Sequence, residues 1–305
     1  MEFFFLLSTK LFSLFGIIVL GYFAGRFLEI EAKPLARLLI YIFGPIVFFD
    51  AILKAQLRPQ DLLLPFMFLG MCSLLCFSFF KIGASFYREP TKNILAFTAG
   101  SANTGYFGIP AIIFILGEPY LGKAILAIFG YNLFENSVGY YITARGHFSH
   151  KEAFLKVIRL PSLHAFFMAV ILNFMGWKLP TLLQPIADGA KGAYSLLGLM
   201  IVGIGASKIT KAHIDWVFVG LTFVAKFICF PILIFSMIYV DKNLTHLFDA
   251  DIYKILKLLS VVPLAANGVA VATELKANPE KVSLAILLST LFALFYIPLF
   301  VIFLF

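Results

Sequence analysis

Apolar runs of roughly twenty residues, cut by short clusters of charged residues, proline and glycine, repeat along the whole chain. The cuts predict helical spans near 8–28, 35–56, 60–82, 91–117, 120–144, 160–177, 187–207, 213–240, 252–277 and 280–305. A helix needs about 20 apolar residues to cross a hydrocarbon layer, so the pattern predicts an all-α integral membrane protein of ten transmembrane helices. The longest polar stretch, Arg145 to Arg159, separates five spans from five. This gives an expected first repeat at 1–145, a connection at 146–159 and a second repeat at 160–305. An odd number of spans per half inverts the second repeat relative to the first, an arrangement common in secondary transporters.

Two spans depart from the uniform apolar pattern in matching places. The fourth carries Ser101-Ala102-Asn103-Thr104-Gly105-Tyr106-Phe107-Gly108-Ile109-Pro110, and the ninth carries Pro263-Leu264-Ala265-Ala266-Asn267-Gly268. Proline removes an amide donor and clashes with the preceding turn, and glycine lowers the barrier to non-helical backbone. Unwound backbone survives at membrane depth only where protein, water or a ligand satisfies it. Half-helix ends then offer partial charges of both signs. The candidate substrate-binding residues are therefore Asn103, Thr104, Gly105, Pro110, Pro263, Asn267 and Gly268, weighed against ordinary proline kinks.

Composition removes whole classes of function. Apolar residues make up 61% and charged residues 13% of the 305, against about 25% charged in a soluble domain. The formal charge of +8 is scattered over the ends of apolar segments, which suits anionic lipid headgroups and not nucleic acid. By the predicted loops, one side carries fourteen Lys and Arg and the other nine. The positive-inside rule then makes 146–159 cytoplasmic and places both termini outside a cell (inner) membrane that the chain crosses many times. Cys72, Cys76 and Cys229 lie within apolar segments and read as reduced thiols. No H-E-x-x-H, G-x-S-x-G or P-loop pattern appears, so no cofactor and no metal is expected. An intramembrane enzyme acting on a lipid or isoprenoid would need acid, base or nucleophile groups converging at one depth, and a passive channel would need a continuous polar stripe.

The segments Asn103-Thr104-Gly105 through Gly108-Ile109-Pro110, Leu38-Leu39-Ile40-Tyr41 through Pro45, Leu160-Pro161-Ser162 with Gly176 to Pro180, Met200 to Ser207, and Pro263 to Glu274 resemble the auxin efflux carrier family of permeases, itself similar to bile-acid symporters and sodium/proton antiporters. The resemblance implies a scaffold of helices 1, 2, 6 and 7, and a transport domain in which helices 4 and 9 break and cross. It also implies elevator-like alternating access for a small organic anion, a carboxylate. Plant members carry a long cytoplasmic segment between helices five and six, whereas here only Arg145 to Arg159 fills that position, as in bacterial members.

Isolated polar residues complete the expectations. Glu135, flanked by Asn132 and Asn136 at helical spacing, and Lys226, ten residues from either end of its span, are costly at such depth and are candidates for coupling or charge neutralisation. Glu135 and Lys226 are expected to pair in part. Asp50 and Lys54, one turn apart, read as an interfacial ion pair. The Gly21-Tyr22-Phe23-Ala24-Gly25 segment permits close helix approach. Scaffold packing is its first reading, and a homodimer through the scaffold helices the second.

Overall fold

The computed structural model describes residues 2–144, 161–207 and 214–304, and the expected connection at 146–159 lies outside them. The described residues form helices joined by short turns, with no strand among them. We label the helical segments α1 (Glu2–Phe27), α2 (Ala32–Lys54), α3 (Pro59–Gly83), α4 (Thr91–Leu116), α5 (from Leu121–Phe134 through Tyr140–Thr143), α6 (Pro161–Phe174), α7 (Gln184–Ser207), α8 (Trp216–Thr245), α9 (Ala250–Ser260, then Asn267–Glu274) and α10 (Pro279–Leu304). Of these, α2, α3, α4 and α8 are each long and apolar enough to cross a membrane. Alpha-helical geometry loosens into π turns at Leu39–Phe43, Thr104–Gly108, Ile112–Leu116, Glu135–Gly139, Ala225–Cys229 and Asp241–Thr245.

The chain divides into two compact units that draw on both halves of the sequence. The first holds residues 1–61, 105–126 and 158–208, hence α1, α2, α6, α7 and the second arm of α4. Its helices meet at small residues. A Cβ on Gly203 of α7 would overlap the Ile18 carbonyl of α1, and one on Gly21 would overlap the Met200 carbonyl, so the Gly21 to Gly25 segment serves close packing of α1 on α7. The last carbonyls of a helix run out of i+4 amide donors, and at the end of α2 the Ala55 amide reaches only Ile52 O, at 3.2 Å. Asn173 of α6 answers them, its Nδ2 donating to the oxygens of Ile52 (2.8 Å), Leu53 (3.2 Å) and Ala55 (2.7 Å). Trp177, just beyond α6, meets Phe49 edge-on with ring centroids 6.3 Å apart.

The second unit holds residues 62–104, 127–157 and 209–305, hence α3, the first arm of α4, most of α5, and α8 to α10. One end is fastened by Asp215, which caps α8 by accepting from the Phe218 amide at 3.0 Å. Asp215 also accepts from Tyr87 Oη at 2.6 Å and Lys281 Nζ at 2.8 Å, joining the segments that precede α4, α8 and α10. Partial burial alone would raise the Asp215 carboxyl, but the bonds from Lys281, Tyr87 and Phe218 outweigh it and hold it down at about 2. Trp216 follows as an exposed ring at the start of α8.

Candidate functional site

The break in α4 can be followed amide by amide, and every one is satisfied. Helix ends at Gly100 and resumes at Thr104. Ser101 N donates to Thr98 O (3.4 Å), Asn103 N to Pro263 O (2.8 Å) and Thr104 N to Ala102 O (2.8 Å), while the Ala102 amide donates to the Glu135 carboxylate. Such satisfaction is what unwound backbone requires away from water. The side chains of Ser101, Asn103 and Thr104 are buried alongside. Asn103 Nδ2 differs from its neighbours: it is buried and has no hydrogen-bond partner among the described residues.

The break in α9 is held from two directions. Pro263 sends its carbonyl to Asn103, and the freed Leu264 amide donates to Ser289 Oγ of α10 at 3.1 Å. Helix resumes at Asn267, whose side chain donates from Nδ2 to Glu135 Oε2 at 3.3 Å. Gly268 permits close packing, since a Cβ there would stand 3.2 Å from Val282. The interrupted helices are thus joined directly by one backbone bond and indirectly through one carboxylate.

Glu135 opens the π turn of α5 and is 6% exposed. Lys226 sits in the π turn of α8, 1% exposed, with Nζ unpartnered among the described residues. Its ammonium lies over the ring of Phe230, 4.4 Å from the centroid, and 5.7 Å from that of Tyr131. Cation–π contact of this kind is worth about 2 kcal/mol when desolvated. Tyr131, one helical turn before Glu135, is buried, and its hydroxyl has no hydrogen-bond partner among the described residues. Asn103 Nδ2, Tyr131 Oη and Lys226 Nζ are therefore three buried donors of this unit without acceptors among the described residues.

Residues 6–145 match a family profile described as "Membrane transport protein". Over this stretch the chain is similar to that family, which is that of the auxin efflux carriers. Similar along nearly its whole length are an "Uncharacterized transporter" of Methanocaldococcus jannaschii, 25% identical over 93% of this chain and 94% of that protein, and a "Putative malonate transporter" of Rhizobium meliloti, 24% identical over 91% and 89%. The match over residues 6–145 and the four helices long and apolar enough to cross a membrane together support a membrane-embedded protein similar to transporters.

The structure gathers the anticipated residues unevenly. Asn103, Thr104, Pro263, Asn267, Gly268, Glu135, Lys226, Asn132 and Asn136 fall in the second unit, whereas Gly105 and Pro110 fall in the first. The Glu135–Lys226 ion pair expected from the sequence is not made: Glu135 is taken by Asn267 and the Ala102 amide, and Lys226 by aromatic rings. Asn136 donates its Nδ2 to the Asn132 backbone carbonyl of its own helix at 2.8 Å, while the side chain bonded to the Glu135 carboxylate is that of Asn267. Asp50 and Lys54 do pair, at 2.8 Å. Sequence reading missed Ser289 and Tyr131. A hydroxyl one turn from Glu135 was the available signal for Tyr131, while nothing local marks Ser289.

Proposed function

We propose that the chain is a secondary carrier of a small organic anion, a carboxylate, working by elevator-like alternating access. The observation that carries this reading is the meeting of two helix breaks beside the buried Asn103 side-chain Nδ2, which has no partner among the described residues. Helix breaks cost hydrogen bonds and, once satisfied, leave an adaptable polar point inside apolar surroundings. A spare N–H donor there suits a carboxylate oxygen. A carboxylate near Glu135 also needs positive charge, and Lys226, with no anion bonded to it among the described residues, is available in the same unit. In this reading ten helices form two inverted repeats in the cell membrane, both termini lie outside, and the connection at 146–159 is cytoplasmic.

The similarity to a protein named for malonate makes malonate the first solute to test. Proteoliposomes preloaded with unlabelled malonate should accumulate labelled malonate by counterflow, with sodium replaceable by choline. Asn103→Ala and Asn267→Ala should each weaken solute binding by about 1–3 kcal/mol while leaving the protein folded. Unchanged solute affinity in both variants, or a flux that never saturates, would remove the carrier site from the breaks.

A further inference from the structure

The first unit contains a second polar site, away from both breaks in the sequence. A cavity of about 280 Å³ is lined by Asp50 and Lys54 at the end of α2, Glu118 of the short turn between α4 and α5, and Lys191 near the start of α7. Its charges form one connected chain. Lys54 Nζ bonds Asp50 Oδ2 at 2.8 Å and lies 3.9 Å from Asp188 Oδ1. Lys191 Nζ bonds Asp188 Oδ1 at 3.3 Å and Glu118 Oε2 at 2.6 Å. Among the described residues this linked set joins three carboxylates to two ammonium groups, an excess of one negative charge within the set.

One acceptor is conspicuously unused. The Asp50 side chain is 6% exposed, and its Oδ1 is buried with no hydrogen-bond partner among the described residues. A buried oxygen of this kind favours an N–H donor from an occupant, and a positive one would cancel the residual charge. A bare cation would meet Lys54 and Lys191 on the same wall. An occupant bearing an anionic group as well turns those lysines into partners. We propose that this cavity binds a small zwitterion, its primary ammonium on Asp50 and its anionic group on Lys191 and Lys54. Free amino acids and the ethanolamine-phosphate headgroup of a membrane lipid share this chemistry, and the volume admits either without an acyl chain.

Titration calorimetry on the purified full-length protein tests the proposal with glycine and ethanolamine phosphate. Ethanolamine, inorganic phosphate and choline phosphate serve as controls, the last because it lacks an N–H donor. At least one zwitterion with a primary ammonium should bind at least tenfold more tightly than all three controls. Asp50→Asn and Lys191→Gln should each weaken it at least tenfold. Lys191 is part-exposed, so its variant keeps the test open if Asp50→Asn does not fold. Thermal unfolding in nanodiscs separates the sources: stabilisation by phosphatidylethanolamine over phosphatidylcholine, without glycine binding, identifies the headgroup, and glycine binding identifies free amino acids. Equal binding of choline phosphate, no binding by either zwitterion, or binding unchanged in Lys191→Gln would overturn the site.

Discussion

Lys191 and Lys226 are both lysines of largely buried stems, held by opposite means. Lys191 ends in carboxylates, bonded to Glu118 and Asp188 within a chain of five charges at the end of its unit. Lys226 ends over aromatic rings, while the nearby carboxylate of Glu135 is held by neutral amides. Charges answered by opposite charges are fixed in number, because removing one strands another. Charges answered by rings and amides can gain a partner or lose a proton without breaking an ion pair, which suits a place where an anion comes and goes.

Replacing the lysines separates the two regions most sharply. Lys226→Met keeps the stem's bulk against Phe230 and Tyr131 and removes the charge, so uptake should fall about tenfold or more, the equivalent of roughly 1.4 kcal/mol of lost solute contact. Thermal stability should hold or rise, because no bonded partner is stranded. A Lys226→Met protein that transports normally but unfolds early would make this lysine structural and end the contrast.

An effect of similar size is expected at the break itself. Ser289→Ala leaves the buried Leu264 amide unpaired and should destabilise by about 1–3 kcal/mol, with Ser289→Thr restoring most of it in denaturant unfolding. Equal stability of Ser289→Ala and wild type would show that Leu264 finds another acceptor. In the first unit, Lys191→Met should cost less, within about 1 kcal/mol, because its carboxylate partners are more than half exposed. Loss of transport in Lys191→Met with stability intact would erase the distinction between the two lysines.

The smallest effect is expected at the Asp215 clasp, where charge meets charge at the end of the second unit. Its carboxyl is depressed to about 2 from an ordinary 3.8, so its contribution is fully present above the ordinary value and is lost as pH falls through about 2. The stability gap between wild type and Asp215→Asn should therefore be flat above pH 5 and shrink between pH 4 and about 2. A gap that widens on acidification would reverse the assignment.

What could be read in the sequence was what depends on neighbours along the chain. The breaks at Ser101 to Asn103 and Pro263 to Ala266 were visible because proline, glycine and asparagine act on their own backbone. The depth of Glu135 and Lys226 was visible from the apolar residues on either side. The partners of those charges were not. Helical spacing put Asn132 and Asn136 beside Glu135, but the side chain that reaches it is Asn267, 132 residues away. Opposite charge suggested a Glu135–Lys226 pair, yet both residues stand in π turns, and these re-aim side chains relative to a regular 3.6-residue repeat. The interleaving of the two units was likewise hidden from composition, and entered only through the resemblance of helices 1, 2, 6 and 7 to a scaffold.

Trp177 and Trp216 are the two tryptophans of the chain, and one falls in each unit. Both rings are substantially exposed, at 40% and 67%, and indoles at helix ends favour the headgroup layer. The protein consequently carries two intrinsic optical depth gauges. With Trp177→Phe the emission reports the second unit alone, and with Trp216→Phe the first alone. Brominated lipids quench an indole according to its immersion, so solute-dependent displacement of one unit would appear as altered quenching of one tryptophan against a constant signal from the other.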